Sequence, residues 1–190
     1  MTDTASPLIE QFAPELAQCC ANLPALDLAC GKGRNGLALL RAGIAVTFAD
    51  IKLDALEAVS QTLELPEYQP FKDFASLWSV DFEQPDSTPL AEREFGAVVV
   101  FRYLHRPVLE QIREAIAPGG LVVYETFNVD QVHYGRPTNP DFLLRPGELS
   151  QRFADWEVLH YFEGLEEIDG QNKKRSIAQI VARKPTANRQ

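Results

Sequence analysis

The run Gly31-Lys32-Gly33-Arg34-Asn35-Gly36 constrains this chain more than any other feature. Residues 25–30 before it read as a short apolar strand, and residues 35–42 carry a helical pattern that Gly43 stops. Glycine lets the backbone turn sharply and lets a ligand approach amides that a Cβ would shield. A strand, a glycine turn and a helix in that order open a βαβ unit, so the sheet that follows is expected to be largely parallel.

The rest of the chain keeps the alternation. Residues 44–49 form a second predicted strand, ending at Asp50, and a helix with Leu53, Leu56, Val59 and Leu63 on one face ends before Pro66. Strands are expected over residues 74–80, with Asp81 at the end, and over the almost purely apolar residues 97–101. Pro107 suits the first turn of a helix that Pro118-Gly119-Gly120 ends, and residues 121–126 follow as a fifth strand. A polar stretch over residues 127–145 leads to a short helix from Pro146. Residues 156–162 and 176–182 then read as an antiparallel pair turned at Asp169-Gly170. The expected architecture is doubly wound α/β: a mainly parallel seven-stranded, Rossmann-like sheet closed by a C-terminal antiparallel hairpin.

Length and composition fit one domain over residues 1–190. Residues 1–21 are expected as an N-terminal helical flank broken at Pro14, and residues 184–190 as a polar tail. Acidic residues outnumber basic ones, 27 to 18, for a formal charge of -9, which disfavours nucleic acid and anionic membranes as partners. No basic residue precedes Lys32, no apolar run approaches a membrane span, and Cys19, Cys20 and Cys30 form no CxxC pair. A reduced, cytoplasmic protein is the expectation, without a metal site. Oligomeric state is not legible here.

Three carboxylates surround the glycine turn. Asp50 stands where a ribose diol is usually held, which suits a nicotinamide dinucleotide or S-adenosylmethionine equally. Asp27, inside the first strand, occupies a position that is usually apolar in dinucleotide sites, and could offset a cationic amino group. Asp81 could read an adenine amino group. A second domain of the kind in which a dehydrogenase holds its substrate is not evident.

Taken together, Asp27-Leu-Ala-Cys-Gly-Lys-Gly33, Asp50, Asp81 and Pro118-Gly-Gly120 resemble the class I S-adenosylmethionine-dependent methyltransferases over roughly residues 22–183. The Gly-Arg-Asn-Gly run from Gly33 resembles the small, tellurite-resistance-type subgroup. The resemblance implies S-adenosylmethionine as cofactor, with Asp27 beside a loop from Ala29 through Cys30 and Gly31 to Gly33 that wraps its methionine part. It further implies Asp50 on the ribose, Ile51 on one adenine face, Asp81 on the adenine amino group, the Phe82 amide on a ring nitrogen, and Phe101 or Arg102 near the sulfonium. The family pattern has glycine where Ala29 stands, implying a slightly tighter site, and often aspartate where Gly96 stands.

The unusual segments are residues 101–106 and 133–145, which should open on the same rim of the sheet. Arg102, Arg106, Arg136 and Arg145, with Tyr103, His105, His133 and Tyr134, would gather positive charge there, and guanidinium forks bind oxyanions. The expected substrate is a small, anionic molecule. Alternatively these arginines brace the loops by pairing with Glu110, Glu125, Asp130 or Asp141. His105 or Tyr103 could act as base where the nucleophile needs one, and no catalytic residue is singled out. A noncatalytic donor-binding module and an RNA methyltransferase are the alternative functions, with a nicotinamide dehydrogenase last.

Overall fold

The structure is a computed structural model that describes residues 4–168 and 173–186. Its strands are β1 (Ala25–Leu28), β2 (Val46–Asp50), β3 (Ala75–Ser79), β4 (Phe95–Phe101), β5 (Ile116–Phe127), β6 (Glu157–Ile168) and β7 (Lys173–Arg183). They form one sheet in the order β3-β2-β1-β4-β5-β7-β6. The first five run parallel, and β7 pairs antiparallel with both β5 and β6. The strand order reverses between β1 and β4. In such sheets the crevice beyond the carboxyl ends of those two strands is where ligands bind.

Strand alternation assigns the two faces. In β4, Ala97, Val99 and Phe101 pack on one side, with helices α1 (Pro7–Gln11), α2 (Ala13–Cys19), α3 (Arg34–Arg41) and α4 (Leu53–Leu63). Val98 and Val100 pack on the other, with α5 (Val108–Ala115) and α6 (Glu148–Arg152). All seven β4 residues are buried, as a strand covered on both faces must be.

Several expected boundaries move for local reasons. β1 stops at Leu28 because Ala29 turns left-handed, at φ 53°. The N-terminal flank breaks at Phe12 rather than at Pro14. Proline is tolerated in a first helical turn, and Pro14 sits in the first turn of α2. A two-turn 3-10 helix, Gln69–Phe74, precedes β3, and Asp81 lies two residues beyond that strand. The Pro118-Gly119-Gly120 segment does not separate α5 from its strand. β5 starts at Ile116 opposite Phe95, slips register, and resumes with Leu121 opposite Ala97. The C-terminal strands are longer than expected, and the Asp169-Gly170 turn lies outside the described residues. No helix among the described residues is long and apolar enough to cross a membrane.

Gly96, where the resemblance led one to look for aspartate, has a packing reason. A Cβ there would stand 2.3 Å from the Cys19 carbonyl oxygen at the end of α2, so the N-terminal flank docks onto backbone. Gly96→Ala should therefore cost about 2–3 kcal/mol, the penalty of overpacking a core that cannot shift. Urea denaturation checks this, and an unchanged midpoint would show that α2 yields freely.

Candidate active site

The glycine turn is held by carboxylates from two neighbouring strands. Asp50 Oδ2, at the end of β2, accepts from the Gly31 amide at 2.8 Å, while its Oδ1 accepts from the Lys52 amide at 2.9 Å. Asp27 Oδ2, on the α3 side of β1, accepts from the Gly36 amide at 2.8 Å. The residue just before α3, Gly33, has no side chain to cap the helix, so Asp27 satisfies that first-turn amide from the strand instead. Gly36 must be glycine for this contact: a Cβ would lie 2.8 Å from Asp27 Oδ2 and 2.3 Å from the Phe48 ring. Ala29 adopts φ 53°, a left-handed conformation that costs an L-residue about 1–2 kcal/mol. Cys30 stays in the turn, half-buried, and burial pushes its thiol pKa well up, so it is not a thiolate.

Burial also raises Asp27, to about 7, against the opposing effects of the Gly36 amide and Arg34. The neighbouring Asp50 raises it further. A folded-state pKa above the unfolded value means that the native state holds an extra proton between about pH 4 and 7. Stability is thus lost as pH rises through that window.

These residues fit a nucleoside bearing an amino acid. Each Asp50 oxygen has accepted one bond and retains a lone pair for a diol. A Cβ on Gly31 would meet nothing within 4 Å, so the turn has open space beside it. Ile51, next in the chain, is 57% exposed, an apolar side chain of the kind that covers a base. Asp81 Oδ1 accepts from the Glu83 amide at 2.8 Å, which holds the loop carrying Phe82. Phe82 itself is buried edge-on against Trp78. Phe101 ends β4 beneath the Arg34 guanidinium, whose carbon is 5.9 Å from the ring centre.

Beyond Phe101, a cavity of about 330 Å³ opens between the loops that follow β4 and β5. Arg102 and Tyr103 line it from one loop, Thr126 and Phe127 from the end of β5, and Pro137 and Phe142 from the segment beyond. The structure thus does bring the two unusual sequence segments together. It does not pool their charges. Arg102, at φ 62°, pairs at 2.9 Å with the buried Glu125 and lies over the Phe127 ring. Glu125 also accepts from Gln179 at 2.7 Å. Arg102 Nη1 is buried and has no hydrogen-bond partner among the described residues, and the Tyr103 hydroxyl is buried beside Glu83. Burial lowers the Arg102 pKa to about 10, so it remains a cation at neutral pH. Burial, with Glu83 nearby, drives Tyr103 upward, so its hydroxyl keeps its proton and is a donor rather than a base.

The other arginines lie elsewhere. Arg106 bonds both Glu148 oxygens, at 2.7 and 2.8 Å, and the carbonyls of Asp141 and Leu143. It is a brace between two loops. With Arg145 it lines a separate, more open cavity of about 560 Å³ beside α5 and α6. Arg136, His133 and Tyr134 stand exposed on the loop after β5, and His105 is half-buried in the loop before α5. No group of three or more metal-ligating side chains occurs among the described residues. Glu83, Thr126, Phe127 and Phe142 were not anticipated from the sequence. For Thr126 and Phe127 the available signal was their place at the carboxyl end of a parallel strand.

The sheet order, the antiparallel β7 and the carboxylate-held glycine turn define the class I methyltransferase fold. A family model described as "Tellurite resistance protein TehB" matches residues 2–180, and the chain belongs to that family. It is 26% identical over 170 residues to a "Probable S-adenosyl-L-methionine-dependent methyltransferase TehB" of Haemophilus influenzae. That alignment takes in 84% of this chain and 56% of the relative, so the chain spans little more than half of the longer protein. The crystal structure of TehB from Haemophilus influenzae superposes with a TM-score of 0.70 at 23% identity, covering 94% of this chain and 63% of that one. A glycopeptide N-methyltransferase, MtfA, complexed with S-adenosyl-L-methionine superposes at 0.60 and 20% identity, covering 92% and 86%.

The buried carboxylate gives a direct check. Asp27→Asn keeps an acceptor for the Gly36 amide but cannot ionise. Its stability relative to the parent should grow between pH 4 and 7 by a few kcal/mol, since each pKa unit is worth about 1.4 kcal/mol. Stability curves that run parallel across that range would mean that Asp27 ionises freely in the fold.

Proposed function

We propose that this chain is a methyltransferase that binds S-adenosylmethionine on the glycine turn and methylates a small molecule carrying an anionic group. Family membership and fold support the donor. For the acceptor, the carrying observation is Arg102, a half-buried cation on the wall of a cavity that opens beyond the end of β4, next to the strand that leads into the glycine turn. The family's association with tellurite resistance is compatible with a negatively charged acceptor.

Asp50 would hold the ribose hydroxyls, Ile51, Asp81 and the Phe82 amide the adenine, and residues 29–33 the methionine part. Protonated Asp27 is poised to ionise when a cationic amino group comes near. When bound, the donor supplies a sulfonium methyl: its S–C bond breaks with the electron pair staying on sulfur, as an acceptor lone pair forms the new bond and S-adenosylhomocysteine is left. The chain's own part is positioning, which alone can supply a large share of such a rate enhancement. Glu125 and Phe127 hold Arg102 on the cavity wall. An anionic nucleophile needs no base, which suits a site whose phenol stays protonated.

Two substitutions separate the subsites. Asp50→Ala should weaken S-adenosylmethionine binding by about a hundredfold or more, because it removes a charge-assisted bond to the ribose and also releases the Gly31 and Lys52 amides that shape the turn, read by calorimetry. Arg102→Gln should leave that affinity unchanged and lower kcat/KM for the acceptor by about tenfold to a hundredfold, read as S-adenosylhomocysteine formed. Tight binding of NAD with no heat from S-adenosylmethionine would overturn the assignment.

A further inference from the structure

Arg34 and Asn35, which stand between Gly33 and Gly36, both reach main-chain atoms at the start of the chain. Asn35 Oδ1 accepts from the Ser6 amide at 2.9 Å, and Arg34 Nη1 donates to the Thr4 carbonyl at 2.8 Å. Asn35 is 4% exposed and Ser6 3%, so the first of these bonds is shut off from water. Asparagine is a mediocre helix former, and its amide is costly to bury unless bonded. Here the bond leaves the helix altogether. The Arg34 guanidinium also lies over the Phe101 ring at the end of β4, so its bond to Thr4 sets residues 4–6 at the crevice between β1 and β4. That crevice is where the glycine turn opens. Residues 4–6 have little else to hold them. α1, with five residues, is too short to be stable alone and depends on Leu8 and Ile9 packing in the core beside α3. Among the described residues, the two bonds from α3 are the polar ties between residues 4–6 and the domain beyond α1. A segment fastened so lightly opens locally at a fraction of the cost of global unfolding.

We infer that Arg34 and Asn35 are positioning residues that fasten residues 4–6 as a strap across the mouth of the donor cradle, and that the strap lifts when the donor enters or its product leaves. This rests on the methyltransferase reading above and adds a gate on donor exchange. The latch takes a carbonyl and an amide of the main chain, so it does not depend on the side chains at positions 4 and 6. A donor that contacts the fastened strap favours that state over the lifted one, so the strap's own amides report on donor binding. Release then waits on the strap, as it does wherever a closing segment controls product departure.

Hydrogen exchange of the Ser6 amide, followed by NMR with and without saturating S-adenosylhomocysteine, tests this on the parent protein. Bound S-adenosylhomocysteine should slow that amide by about tenfold or more. Asn35→Ala should speed it and release S-adenosylhomocysteine about tenfold faster, the worth of one buried hydrogen bond. Asn35→Asp keeps the acceptor oxygen and should restore both rates. Amides of β4 should exchange alike in the parent and in Asn35→Ala, which separates a loosened strap from a loosened fold. A Ser6 amide that exchanges at one rate with and without S-adenosylhomocysteine overturns the strap, and so does Asn35→Ala with the parent's release rate. Should Asn35→Ala fail to fold, the parent's exchange alone decides. S-adenosylhomocysteine bound beneath an unresponsive strap sinks the strap and leaves the methyltransferase standing. A parent protein that binds neither S-adenosylhomocysteine nor S-adenosylmethionine sinks both.

Discussion

Two buried carboxylates on adjacent parallel strands hold the turn around which everything else is arranged. Asp50 fastens Gly31 and Lys52, and Asp27 fastens Gly36. A parallel pair brings two strand ends to the same rim, so side chains from β1 and β2 can reach one loop. Without them the turn would be a run of small residues with unsatisfied amides beside a buried helix end, a costly arrangement. Burying two neighbouring carboxylates is costly as well, and the Asp27 pKa rises to about 7, so that it holds its proton below neutral pH. The same arrangement leaves each Asp50 oxygen with acceptor capacity unused, and puts Asp27 near its titration point at neutral pH.

From that rim the rest of the site follows by topology. β4 lies next to β1, and its end carries Phe101, Arg102 and Tyr103 into the space beyond the turn. β5 lies next to β4, and its end carries Glu125, Thr126 and Phe127. Glu125 anchors Arg102 from the end of β5, so the guanidinium is held by one carboxylate and one aromatic ring at the cavity wall. A cation fixed in this way loses little side-chain entropy when a ligand arrives, which is what preorganisation means in a binding site.

The sheet, its hairpin and the glycine turn were legible because each has a strong local signature: apolar runs of strand length, helical spacing, and glycines between them. Asp27 was flagged as unusual in the sequence, and its partner, Gly36, lies within the same motif. The roles of the arginines were much less legible, because they depend on long-range partners. Arg106 meets Glu148, 42 residues away, and Arg102 meets Glu125 across a strand pair. Nothing within either local segment distinguishes the brace from the cation that faces the cavity. The same is true of Gly96, whose meaning lies in the α2 carbonyl packed against it, and of the register slip in β5, where a Pro-Gly-Gly run reads as a simple helix stop.

The central claim is that the glycine turn and the Arg102 cavity are two halves of one site, with the donor's reactive sulfur opening from the first onto the second. A crystal structure of the protein with S-adenosylhomocysteine tests this most directly. The account predicts the ribose hydroxyls on Asp50, the adenine beside Ile51, and the sulfur facing the space between Arg102, Tyr103 and Phe127. A sulfur pointing away from that cavity, or a nucleoside bound with Asp50 unengaged, would contradict it.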